Sequence, residues 1–193
     1  MSTVTASMFT HPLGDDAVLI PRTPEIAEAY HALLEANHRE RIARWNPAAD
    51  DHPPTLAQTR EALVATGRAW LDGTLLPLAI AVPEEDRWRL VGTVGLRIDR
   101  PARSGEVGYW IEAAHEGRGL VTRAVAAVLD QAFGPLGLRR VELRTNPDNE
   151  RSQRVARRLG FTQEGVLRQA AAFPDGRRDE VVYGLLAAEW SKE

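Results

Sequence analysis

The chain has 193 residues, a formal net charge of −3, 44% hydrophobic residues and 26% charged residues. That is enough length for a buried core and the composition of a soluble globular protein, with no surplus charge to draw nucleic acid or an acidic membrane. There is no cysteine, which excludes disulfides, thiolate metal sites and a cysteine nucleophile, and Lys192 is the one lysine among the 24 basic residues. Residues 1–16 show no periodicity and read as a loose lead-in. Ala17–Arg22 is a short apolar run closed by Pro21, which suits an edge strand. Thr23-Pro24-Glu25 then carries the signals of a helix start, and Ile26, Tyr30, Leu33 and Leu34 continue at helical spacing. Arg41–Trp45 extends that helix until Asn46-Pro47 breaks it. Thr55 opens a second helix with Leu56, Leu63, Val64 and Trp70 expected on its inner side.

Leu75–Val82 and Trp88–Asp99 read as a hairpin across the polar turn Pro83–Asp86, and a second turn at Arg100–Ser104 leads into a third strand. In that strand Val107, Tyr109 and Ile111 alternate with Gly108 and Trp110. Glu116-Gly117-Arg118-Gly119 then turns the chain into a helix over Leu120–Phe133. Glycines at such a junction let a ligand approach the backbone, and the free N–H groups of the new helix favour an anion, phosphate above all. Arg139–Thr145 is the next strand, and Asp148 or Asn149 caps a helix running to Leu159 that ends on Gly160. Phe161–Leu167 and Asp179–Leu186 complete the pattern through the turn Pro174-Asp175-Gly176. The expectation is one α/β domain over residues 17–190.

The five histidines, His11, His31, His38, His52 and His115, lack metal-ligand spacing, so no metal is expected. No apolar run is long enough to span a bilayer, and the reading is cytoplasmic with no membrane or direct nucleic-acid partner.

Several motifs in order carry a resemblance. They are the strand ending GYWI, the loop and helix start ExGRGLVTRA, Asn149-x-x-Ser152, Arg158-Leu159-Gly160-Phe161, Glu164-Gly165, and a closing segment from Asp179 to Trp190. Together they resemble the GNAT superfamily of acetyl-CoA-dependent N-acetyltransferases. Asn37, Trp45 and the closing segment resemble its RimJ/RimL branch, which is associated with acetylating N-terminal amines of ribosomal proteins. The resemblance implies a mostly antiparallel sheet of about seven strands flanked by about four helices. It assigns Gly117, Arg118, Gly119, Leu120, Val121 and Thr122 to the CoA pyrophosphate, and Ile111 and Asn149 to the pantetheine arm. Ser152 becomes the group that protonates or stabilises the leaving thiolate, since Ala156 stands where other members place a tyrosine.

Glu116 departs from the Gln or Arg common at its position, and its side chain is expected to turn out to solvent, with Arg118 and Arg123 offsetting its charge. For the proton of the attacking amine, Glu106 is the first candidate base and Glu142 the second; the segment where some RimL-like enzymes carry a glutamate here reads Gln169-Ala170-Ala171-Ala172. Asn37, His38, Trp45, Tyr109 and Phe173 are the expected acceptor lining. The acceptor is expected to be a protein or peptide N-terminus. A small amine such as an aminoglycoside, polyamine or amino-acid derivative, a succinyl donor, and a degenerate acyl-CoA-binding module are the alternatives. A homodimer is left open.

Overall fold

The computed structural model describes residues 10–47, 49–85 and 87–190. Its elements are β1 (His11–Pro12), β2 (Val18–Pro21), α1 (Ala27–Asn37), α2 (Leu56–Leu71), β3 (Leu75–Glu84), β4 (Arg87–Asp99), β5 (Ser104–Ile111), α3 (Leu120–Phe133), β6 (Arg140–Thr145), α4 (Glu150–Arg158), β7 (Thr162–Phe173) and β8 (Gly176–Leu186). The eight strands form one sheet in the order β1-β2-β3-β4-β5-β6-β8-β7, antiparallel except at β5–β6. The mostly antiparallel α/β architecture is as expected, with one strand more. The extra one is β1: His11 and Pro12 pair with Leu19 and Val18, so the end of the lead-in belongs to the sheet.

Each face of the sheet has its own core. On one side Leu120, Ala124, Val125, Val128 and Leu129 of α3 pack on Val94, Leu96, Val107, Val141 and Leu143. On the other, Ile26, Tyr30 and Leu33 pack with Leu63 of α2 on Ile20, Ala79, Ala81 and Leu90. α2 begins with a capping box, Thr55 accepting from the Gln58 N–H while the Gln58 side chain reaches back. Its inner face differs from expectation at one position. Val64 is 41% exposed and Thr59 is buried instead, with its hydroxyl donating to the Thr55 carbonyl. A hydroxyl that back-bonds to its own helix can enter the core without leaving a donor unmatched.

Two irregularities shape the middle of the sheet and the helical layer beside it. Between Ile80 and Ala81 the β3–β4 register slips by one, so Val91 has no residue opposite it and Gly92 follows directly. This bulge turns β4 where it meets the end of β5. After α1 the chain widens into a π-type segment, His38–Ala43, and continues helical to Trp45. The expected extension of the first helix is present, with a looser pitch that is common at functional sites.

Candidate active site

Strand β5 pairs with β6 only at Ser104, Gly105 and Glu106, opposite Arg140, Val141 and Glu142. Beyond Glu106 the two strands part: β5 continues to Ile111 against β4, and Leu143–Thr145 pair with β8. The Glu112 N–H donates to the Val91 carbonyl, so the alternation of an antiparallel pair turns the main-chain groups of Tyr109 and Ile111 away from β4, into the gap. Unpaired amides at a strand edge are matched by an amide-bearing ligand.

The gap widens into a cleft of about 1340 Å³. Tyr109 and Ile111 line it on one side, and Asn149, Ser152 and Val155 on the other. Gly117, Gly119, Leu120, Val121 and Thr122 form one end of it. Gly117 and Gly119 have φ of 74° and 73°, a conformation that favours glycine, and a Cβ on either would meet nothing within 4 Å. No side chain caps α3 at Gly119, and its first internal bond runs from the Arg123 N–H to the Gly119 carbonyl. The preceding N–H groups are therefore unbonded within the helix, where its dipole is positive.

Asn149 is the N-cap of α4, its side-chain oxygen accepting from the Ser152 N–H at 3.2 Å. That bond fixes the first turn and with it the place of Ser152. The Ser152 hydroxyl lies 3.0 Å from the Tyr109 hydroxyl, which also donates to the Ser152 carbonyl at 3.3 Å. Tyr109, expected among the acceptor lining, is thus a direct partner of Ser152. Burial pushes the Tyr109 hydroxyl well above the usual phenol range, against the opposing pull of the Ser152 bond, so it stays protonated. Ala156, one turn beyond Ser152, is fully buried and packs in the core.

Three expectations for the loop change. Glu116 does not point freely to solvent: Arg41 of the π-type segment holds Oε1 at 2.5 Å and Arg151 of α4 holds Oε2 at 2.6 Å. Arg123 does not offset Glu116; it pairs with Asp16 at 2.7 Å and donates to the Leu13 carbonyl, binding the lead-in to α3. Arg118 lies 3.9 Å from the same Asp16 and does not line the cleft. The loop is braced from beneath by a chain of side chains that sequence reasoning missed. The His115 Nδ1 sits 2.6 Å from buried Glu112, and Arg89 grips both oxygens of Glu112 at 2.7 and 2.8 Å. The spacing Glu112-x-x-His115, just after a strand, was the signal available.

The two carboxylates considered as bases lie outside the cleft. Glu106 is 2.5 Å from Arg97, and Glu142 is held by Arg140 at 2.9 Å and Arg144 at 3.0 Å. With Arg140–Glu164 and the longer Arg144–Glu106 pair they form a ladder of alternating charge from β4 to β7. Both border a separate small cavity with Thr74, Arg97 and Asp99. Burial drives the Glu142 carboxyl upward, but the bonds from Arg140 and Arg144 outweigh it and leave the group below the ordinary carboxylate range. A base held in that way is a weak one.

The ladder predicts a pH-dependent contribution to stability. A carboxylate whose folded-state pKa is depressed stabilises the fold above its unfolded pKa, and the contribution is lost as pH falls through the folded value. Glu142→Gln should therefore cost about 1 kcal/mol at pH 7, a figure kept small because solvent reaches the network. The difference should narrow as pH falls below the ordinary carboxylate value and be lost once pH passes below the depressed folded-state value, when thermal unfolding of both forms is followed across pH.

The remaining acceptor candidates divide. Trp45 lines the cleft, with the Arg44 guanidinium 4.8 Å from its ring centroid. Phe173 is buried beneath Arg178, which donates to the Arg44 carbonyl, so the last hairpin touches that end of the cleft without Phe173 lining it. Asn37 and His38 point elsewhere: the Asn37 amide donates to the Leu33 carbonyl, and the buried His38 ring donates to the Asp50 carbonyl at 2.9 Å. Gln169–Ala172 lies in a bulged part of β7, where Asp179 holds the Gln169 N–H and Ala171 is buried.

Residues 18–162 match the family described as the acetyltransferase (GNAT) domain, and the chain is accordingly an acetyl-transferring enzyme. It is 31% identical over 191 residues to "Putative ribosomal N-acetyltransferase YdaF" of Bacillus subtilis (strain 168), covering 96% of this chain and 100% of that one. It is 34% identical over 98 residues to the ribosomal-protein-serine acetyltransferase of Escherichia coli (strain K12), covering 50% and 55%. Among solved structures, Mycobacterium smegmatis RimJ in complex with CoA-disulfide shares the fold at a TM-score of 0.82, with 24% identity over 92% of this chain and 85% of that one. The chain belongs to the GNAT superfamily.

Proposed function

We propose that the enzyme moves the acetyl group of acetyl-CoA to the α-amine at a protein N-terminus. The observation that carries the chemistry is the Tyr109–Ser152 bond at the cleft, opposite the unpaired edge of β5. The donor's phosphates are held by the amides of residues 117–122, and the amides of its pantetheine arm pair with Ile111 and neighbouring main chain. Asn149 sets the turn that presents Ser152. The acceptor nitrogen attacks the thioester carbonyl carbon, the C–S bond breaks, and the sulfur leaves with the electron pair. Ser152 gives the sulfur its proton and takes one from Tyr109, which water replenishes. The proton shed by the amine also passes to water.

The loss of the two strand carboxylates as bases favours an acceptor that is already partly neutral. With Glu106 and Glu142 drawn into the charge ladder, neither is free to take a proton at the cleft. An α-amine has a pKa near 8, so a substantial fraction is already neutral at pH 7.5, whereas a lysine-type amine near 10.4 is almost wholly protonated. The volume of the cleft, above the roughly 300–1,000 Å³ of ordinary ligand sites, leaves room for an extended donor and a chain end together. The names of YdaF and of the serine acetyltransferase support the same class.

The test is a screen for CoA release with acetyl-CoA against peptides with free or blocked N-termini and against polyamines and aminoglycosides. Turnover confined to free N-termini is expected. With peptides of graded α-amine pKa, the rise of kcat/KM with pH should follow the acceptor. Faster turnover of small amines than of any peptide would overturn the acceptor class. A rise that keeps one enzyme pKa for every acceptor would point instead to a base among the cleft-lining groups, which include Glu40, His115, Asp148 and Glu150.

A further inference from the structure

We propose that Glu116 is a resident competitor of the donor's diphosphate, sharing with it the guanidinium groups of Arg41 and Arg151 and thereby setting how tightly CoA is held. The inference rests on acyl-CoA being the donor. Glu116 immediately precedes Gly117, the first residue of the phosphate-binding loop. Its carboxylate is only 23% exposed and is engaged from both sides, by Arg41 across the cleft and by Arg151 on the first turn of α4. All three residues line the cleft together with the free amides at the start of α3.

A diphosphate at those amides lies beside the same two guanidiniums, and a guanidinium fork suits phosphate at least as well as carboxylate. Glu116 opposes it twice, by like-charge repulsion and by holding the arginines. The product CoA carries the same phosphates as the substrate. A carboxylate that takes the arginines back therefore limits the hold on product, which a neutral residue at this position would not do. Arg41 lies in the π-type segment, four residues before Trp45, so the exchange also reaches the acceptor side.

Calorimetric titration with CoA at fixed ionic strength tests this on the wild-type chain, Glu116→Gln, Arg41→Gln, Arg151→Gln, and each arginine change combined with Glu116→Gln. Glu116→Gln is expected to tighten CoA roughly fivefold to tenfold, the scale of one charge-assisted contact near solvent. Each arginine change should weaken it, and by a larger factor in the Glu116→Gln background, where the guanidinium serves the phosphate alone. If Glu116 merely brackets the loop, Glu116→Gln will bind CoA no tighter than wild type, or the arginine changes will leave affinity unaltered; either result overturns the proposal. The arginine variants decide the matter should Glu116→Gln not fold. A wild-type chain that takes no CoA overturns the donor reading itself, whereas one that takes CoA without these shifts overturns this inference alone.

Discussion

Ser152→Ala should lower kcat about a hundredfold, the lower end of what a positioned proton donor contributes, while CoA affinity changes by less than about threefold. The hydroxyl is asked to act on the departing sulfur, an interaction made as the C–S bond lengthens. Its loss therefore falls on turnover rather than on donor binding. Tyr109→Phe should give a smaller loss, about tenfold, because it removes the partner of the hydroxyl and leaves the hydroxyl itself. Single-turnover acetyl transfer read beside CoA calorimetry separates the two quantities. Undiminished turnover in Ser152→Ala would remove the acid role from this helix, and an equal loss in affinity would make Ser152 a binding residue.

Gly92→Ala should destabilise the enzyme by about 3 kcal/mol, the range of overpacking against atoms that cannot yield. A Cβ at Gly92 would stand 2.4 Å from the Trp110 carbonyl oxygen and 2.9 Å from the Ile111 Cα. Both are main-chain atoms of β5, and Gly92 faces Ile111 directly in the register. Relief requires β5 to move off β4 where its opposite edge borders the gap, so donor binding should fall together with stability. Thermal unfolding should show a fall in Tm of about 6–12 °C. By contrast, Gly95→Ala, whose Cβ would come no closer than 3.5 Å to the Leu76 carbonyl, should sit within about 1 kcal/mol of wild type. Equal Tm values for the two variants would show that the close approach at Gly92 is not a constraint.

The helices and strands were legible because their signals are local. Leu120–Phe133 begins and ends where the glycines place it, and Asn149 caps α4 with the side chain its type predicts. The hairpins ran longer than their apolar runs, since Glu84 pairs with Arg87, and Ala171, Ala172 and Phe173 pair with Arg178, Arg177 and Gly176, across strands whose ends carry charged residues. What could not be read was pairing between distant charges. Glu106 and Glu142 are 36 positions apart and carry strand signals alike, but only the parallel register opposite β6 shows them bound into an arginine ladder. Glu116 likewise finds Arg41, 75 positions earlier, by a route no local pattern records. Gly92 did leave a trace, a glycine within a strongly apolar strand, which signals a bulge or a close approach.

The parting of β5 and β6 also gives the sheet an internal seam whose amides can report on their own occupancy. The N–H groups of Tyr109 and Ile111 have no strand partner on that side and should exchange with deuterated solvent rapidly, although they sit in the middle of an eight-stranded sheet. Their neighbours at Gly108 and Trp110, turned toward β4, should exchange slowly. A pantetheine arm that closes the seam would bring all of them to similar protection. The alternation along this one strand, and its loss on adding CoA, would locate the ligand amide by amide.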